Sequence, residues 1–140
     1  MPKAKVVKTR NGGEWTEARY RSFIVSTLRK SSSRWGPRNE AKRDARHHEK
    51  LPNATGRLVF HSKCACCNEL VPETTSSVDH IEPVVDPAVG FVNFDVYIQR
   101  MYCEKEGFQV LCKPCHDTKT AGEREIATER KRREREDSQS

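Results

Sequence analysis

The chain has no long hydrophobic run. Only 34% of its 140 residues are hydrophobic, and no stretch is long enough to cross a bilayer as a helix. The basic N-terminus, Met1 to Arg10, is followed by no apolar segment, so a secretory leader is not expected. The expected compartment is the reducing cytoplasm, with no membrane partner. There the six cysteines are expected as metal ligands and buried thiols rather than as disulfides. So little apolar material is thin for a self-sufficient core at this length, a deficit that a structural metal offsets.

What the chain does have is a pattern in those cysteines. Cys64/Cys67 and Cys112/Cys115 form two Cys-x-x-Cys pairs. Each pair, on a tight turn, presents two sulfurs to one ion, and two such knuckles close a tetrahedral thiolate cage around Zn²⁺. A simple zinc ribbon separates its knuckles by about 15 to 20 residues, whereas here everything from Asn68 to Leu111 lies between them. The insert is therefore expected to carry structure of its own. It contains Asp79-His80, and the second knuckle runs directly into His116. A carboxylate beside imidazoles is what metal-assisted hydrolysis requires. Cys66 is a spare thiol, its pairing with Cys64 less favoured than that of Cys67. His47, His48 and His61 fall outside the pattern and are expected on the surface.

Charge is unevenly placed. The net value is +6, but residues 1–50 hold fourteen Lys and Arg against five Asp and Glu, residues 51–120 hold six against nine, and residues 121–140 hold six of each. An acidic centre beside a basic arm suits a site that holds a divalent cation while its surroundings grip phosphates. The plainer alternative is that the basic residues keep a polar chain soluble.

Residues 1–13 end in Asn-Gly-Gly and read as a flexible lead-in. Tyr20, Phe23, Ile24 and Leu28 recur at helical spacing between Thr16, a fitting N-cap, and Lys30. Pro37 then opens a polar helix from Arg38 to Lys50. With little to bury except Ala41 and Ala45, it is a solvated spacer or a surface laid on phosphates by Arg38, Lys42, Arg43 and Arg46. Short strands are expected at Leu58 to Phe60, Ser76 to Ile81 and Gln109 to Leu111. A helix is expected from about Asn93 or Asp95 to Glu106, with Ile98, Met101 and Tyr102 inward and Cys103 buried. Another should run from Pro114 through Ala127, ahead of a frayed charged tail. The expected organisation is a basic arm over residues 1–57, a folded domain over 58–127 and a tail over 128–140.

The order Val78-Asp79-His80-Ile81-Glu82-Pro83, then Gln109-Val110-Leu111-Cys112-Lys113-Pro114-Cys115-His116, then Lys119-Thr120 closely resembles the HNH endonuclease family, particularly its small phage-type members with a four-cysteine zinc site. The resemblance covers roughly residues 58 to 122. It implies an α+β fold with a ββα-metal core and a structural Zn²⁺ on Cys64, Cys67, Cys112 and Cys115. It further implies His80 as general base, Asp79 and His116 as ligands of a catalytic Mg²⁺ or Mn²⁺, and DNA as the partner and substrate, nicked or cut on both strands. Lys119 would approach a scissile phosphate or simply favour solvent. For a phage-encoded chain the compartment is the host cytoplasm, and packaging proteins are further candidate partners. One position departs from the family: the middle Asn falls at Gly107, which has no side chain to brace the loop with, leaving its carbonyl to accept from the His80 ring. A silent zinc-ribbon module binding DNA or protein on the same scaffold is the alternative.

Overall fold

The computed structural model describes residues 5–139. They form an α+β structure with small antiparallel sheets and four helices, divided at Ser33/Arg34 into two compact units. No described helix is long and apolar enough to cross a membrane.

The first unit is built on helix α1 (Glu17–Ser32), whose N-cap Thr16 hydroxyl accepts from the Arg19 amide at 3.1 Å. The expected lead-in, whose first four residues lie outside the described ones, ends in a closed turn. Asn11, Gly12 and Gly13 all take positive φ, and Arg10 and Trp15 exchange backbone hydrogen bonds of 3.0 and 2.9 Å across them. Glycine at two of those three positions makes the left-handed path inexpensive. Arg10 then lies 4.3 Å over the Tyr20 ring and pairs with Glu17 at 2.9 Å. No residue of α1 is buried, and Phe23 stays 57% exposed against Trp15.

In the second unit, helix α2 (Gly36–Asp44) carries Pro37 in its first turn, as expected, but stops six residues before Lys50. The chain leaves the helix because residues 45–47 are drawn alongside a strand: Lys63 N donates to Ala45 O at 2.9 Å and His47 N to His61 O at 2.8 Å. Nor is α2 a solvated spacer. Ala41 is buried, the helix packs on β6 (Phe108–Leu111), and the Trp35 indole donates to Cys103 O at 2.7 Å. This compact unit begins at Arg34.

Two short hairpins follow: β1 (Leu51–Pro52) with β2 (Leu58–Val59), and β3 (His61–Lys63) with β4 (Leu70–Pro72). The second holds the first knuckle in its loop. His61 is buried rather than on the surface, its Nδ1 donating to Val59 O at 3.0 Å. After a 3-10 turn over Glu73–Thr75, β5 (Ser77–His80) pairs antiparallel with β6 in the register Asp79↔Gln109 and His80↔Phe108. Helix α3 (Phe94–Met101), capped by the Asn93 side chain, ends earlier than expected; Met101 is buried as expected and Tyr97 is buried beside it, while Ile98 is 40% exposed. Cys103, half-buried, follows that helix.

Helix α4 (Lys113–Gln139) continues through the segment expected to fray. No apolar stripe supports that extension; Arg132 pairs with both Glu129 and Glu136, and Arg130 with Glu134 at 3.5 Å. Such i,i+3 and i,i+4 pairs support a helix already nucleated upstream. The buried centre nearest its start is Cys64, Leu111 and Cys112, with Val71 and Cys115 packed against them. The smallness of that cluster is why the cysteines matter to the fold.

Candidate functional site

The four knuckle cysteines meet. Strand β3 delivers Cys64 and β6 delivers Cys112, while the two turns bring Cys67 and Cys115 back to them. In the first turn Asn68 adopts φ 65°, its amide donating to Cys64 O at 2.9 Å. All four sulfurs lie within 4.8 Å of one another, and Cys67 Sγ is 3.8 Å from Cys112 Sγ. A tetrahedron with Zn–S bonds of about 2.3 Å has sulfur–sulfur edges of about 3.8 Å. Donor number, donor softness and this spacing all fit one Zn²⁺, so the group can hold a structural metal.

The electrostatics of the cage point the same way. Burial pushes the Cys64 thiol up, but amides of Cys112, Cys67 and Cys66 donate to its sulfur and together bring it down to about 6. At Cys67 the Glu69 amide favours the thiolate, but burial and the sulfurs of Cys64 and Cys112 outweigh it, and the thiol ends above its ordinary range. Cys115 is driven up by Cys112 and by burial. One thiolate forms readily and its neighbours then keep their protons. Only a cation among them relieves that repulsion, which is how metal binding drives thiols to deprotonate.

Asp79 and His80 end β5, and the structure gives each a defined partner. The Asp79 Oδ2 accepts from Gln109 Nε2 at 3.0 Å, directly across the β5–β6 ladder, and pairs with Lys119 Nζ at 3.1 Å. Lys119 reaches it from the second turn of α4, also donating to His80 O at 3.0 Å and pairing with Glu123 at 2.6 Å. Burial works against the ammonium, but Glu123 and Asp79 more than offset it and raise the Lys119 pKa. Lys119 is thus neither solvated nor bare: two carboxylates and a carbonyl hold it at Asp79.

The His80 ring sits 4.8 Å from the Phe108 ring opposite it, and its Nε2 is 2.8 Å from Met101 O. A carbonyl only accepts, so Nε2 carries the proton and Nδ1 is the basic nitrogen. From the sequence, the Gly107 carbonyl is the expected acceptor. That carbonyl is occupied by the Ile81 amide at 2.9 Å, and Met101, at the end of α3, takes its place. Gly107 is also closed to larger residues: a Cβ there would lie 2.5 Å from Cys103 Sγ and 3.2 Å from Cys103 Cβ.

His116 lies in the first turn of α4, one i,i+3 step before Lys119 and so on the same helix face. Among the described residues its side chain makes no hydrogen bond or ion pair with Asp79 or His80. Gln109 and Glu123 were not singled out in the sequence. The signal for Glu123 is its i,i+4 spacing from Lys119; that for Gln109 is a strand register that single-sequence patterns do not carry. A cleft lined by Cys66, Cys115, Gln109 and Lys119, among others, puts the cage and the Asp79 partners on one surface.

The expected phosphate-binding residues are less uniform than their charges. Arg43 is exposed, and Arg38 is tied to Asn39 Oδ1 at 3.2 Å. Arg46 makes two bonds of 2.9 Å to the Glu73 carboxylate, and Lys42 lies 3.7 Å from the same group. Arg46 holds the Glu73 carboxyl below the ordinary glutamate range.

No family model, curated protein or solved structure matches this chain.

Proposed function

We propose that this chain is a small metal-dependent endonuclease of the HNH type, hydrolysing phosphodiester bonds of DNA. The observation that carries the proposal is the setting of His80. Its ring is anchored through Nε2 to Met101 O and flanked by Phe108, which leaves Nδ1 as the nitrogen to take a proton from an attacking water. In this reading β5, β6 and the first turns of α4 are the ββα-metal unit, the cysteine cage is its structural zinc site, and Asp79 and His116 are the ligands of a divalent ion.

A carboxylate and an imidazole fit Mg²⁺ or Mn²⁺ without selecting between them. When bound, such an ion polarises the phosphate and stabilises the leaving 3′ oxygen. The chain's own residues prepare that position. Gln109 fixes the Asp79 carboxylate across the ladder, and Lys119 balances its charge. Glu123, already 2.6 Å from Lys119, gives the ammonium a partner when a divalent ion takes Asp79. Lys119 is then free to turn to a phosphate oxygen.

The second reading is a silent zinc-dependent module that binds DNA or protein on this scaffold, and the observation that favours it is the Lys119–Asp79 pair itself. An ammonium on the carboxylate stabilises the fold without any divalent ion. Plasmid nicking with and without Mg²⁺ or Mn²⁺, on wild type beside His80→Ala, decides between the two. The nuclease reading expects ion-dependent nicking that His80→Ala abolishes while DNA binding persists; binding without nicking under either ion is the result expected of the silent module.

A further inference from the structure

We infer that the groove between the end of α2 and the β1–β2 hairpin is a second, preformed contact for the phosphate backbone of duplex DNA, outside the Asp79–His80 constellation. The identity of the polyanion rests on the nuclease reading above. The groove is lined by Lys42, Arg46, Lys50, Arg57, Phe60 and Glu73, among others, four cations against one carboxylate.

Its residues are interlocked from three segments of chain. The Glu73 amide donates to Phe60 O at 2.9 Å, which sets the Glu73 carboxylate beside the ring. That carboxylate grips the Arg46 guanidinium at both oxygens, and the guanidinium lies 4.2 Å over the Phe60 ring. Lys50 Nζ lies 4.8 Å from the same ring. The turn of the hairpin is equally fixed: Asn53 Oδ1 accepts from the amides of Thr55 and Arg57, and Gly56 takes φ 85°. The cost of ordering Arg46 and the hairpin backbone has therefore been met before any ligand arrives.

Glu73 discharges Arg46 and part of Lys42. Lys50 and Arg57 are exposed, and neither forms an ion pair among the described residues. The surplus positive charge is thus concentrated in one groove and held on a rigid floor, the complement of a line of phosphates. A stacked base is the poorer occupant. Two cations already lie against the Phe60 ring, which is only 39% exposed, so the groove presents N–H donors rather than an aromatic face.

The test is duplex DNA binding by fluorescence anisotropy across a salt series, without divalent ions, on the full-length zinc-loaded chain. Lys50→Ala with Arg57→Ala is compared with a control of equal charge change on the exposed end of α4, Lys131→Ala with Arg133→Ala. Two lost phosphate contacts lower the log–log salt slope by about 1.8, while zinc content and the control stay at the wild-type value. An unchanged slope in the groove variant, an equal fall in the control, or a loss confined to single-stranded DNA overturns the inference. The nuclease reading fails separately. A wild type that never nicks, but whose slope falls in the groove variant, keeps the groove and loses the enzyme. A wild type that nicks, with a groove variant that binds as tightly, does the reverse.

Discussion

The cysteine cage and the divalent-ion site proposed at Asp79 are built on opposite electrostatics. The cysteine cage gathers four thiols with no cation of the protein's own among them, so ionising one suppresses the others. The Asp79 carboxylate has its own cation, Lys119 at 3.1 Å, and an amide donor, Gln109 at 3.0 Å. A site that repels itself needs its metal in order to fold. One that is internally neutralised folds without it and exchanges it with solvent. Under the proposed function, the contrast makes the cage's metal structural and the ion at Asp79 exchangeable, on the strength of partners rather than ligand type alone.

The cage should give the largest effect. Structural zinc supplies about 10 kcal/mol or more in small metal-dependent folds, and the buried cluster around Cys64 and Leu111 is small. Cys64→Ser is therefore expected to lose zinc and the cooperative thermal transition together, read by elemental analysis and circular dichroism. A variant that stays folded without zinc breaks the comparison at its stronger end.

Next comes the chemistry beside Asp79. His80→Ala is expected to lower nicking by about 10² to 10⁴-fold with unchanged zinc content, since that is the usual contribution of a general base. Asp79→Ala and His116→Ala should instead be partly rescued by raising Mn²⁺, because they weaken a ligand and not the base. Equal rescue of all three would remove the distinction between base and ligand.

Lys119→Met sharpens the contrast directly. Removing the internal cation frees the carboxylate, and Mn²⁺ should bind roughly three- to tenfold more tightly by calorimetry, the scale of a partly exposed ion pair. The cage has no counterpart to Lys119, so its zinc should not respond. Unaltered Mn²⁺ affinity would mean that the ammonium and the divalent ion do not compete.

How much of this was legible in the sequence depends on the distance over which each feature is decided. The knuckles were legible because a Cys-x-x-Cys turn is local, and their meeting follows from one ion needing four ligands. Thr16 and Pro37 marked helix starts for the same reason. Strands β1 and β4, of two and three residues, are too short to show alternation. On α3 the inward Met101 was legible, but Tyr97 rather than Ile98 lies beside it, because both are apolar and only packing chooses between them. The partners of Asp79 and His80 depend on the β5–β6 register and on where α3 ends, which are tertiary facts. The side chain expected to be missing at Gly107 is a further case: Cys103, four residues earlier, occupies the space it would need.

That last contact gives a smaller prediction. Gly107→Asn does not restore a family feature here; it forces Cys103 aside and should cost about 1 to 3 kcal/mol in denaturant unfolding, the range for overpacking. Cys103→Ala in the same chain should return most of that loss. If Gly107→Asn proves neutral and speeds nicking, the loop tolerates the brace and Met101 O is not the sole anchor of the His80 ring.

The smallest effect concerns Glu73, another acid with an internal cation. Its folded pKa is depressed, so the Arg46 pair stabilises the protein fully above the unfolded glutamate value of about 4.3 and loses that contribution as pH falls through the lower folded value. Glu73→Gln should flatten the acid limb of the stability curve without altering zinc content. A limb left unchanged would assign acid sensitivity to the cage instead.

Most direct is a paired measurement on one sample, zinc per chain and ion-dependent nicking, before and after dialysis against a chelator that strips weakly held divalent ions. The account predicts one zinc per folded chain throughout, with nicking lost on dialysis and restored by Mg²⁺ or Mn²⁺ alone. Zinc that leaves while the chain stays folded, or nicking that survives removal of every exchangeable ion, would contradict it.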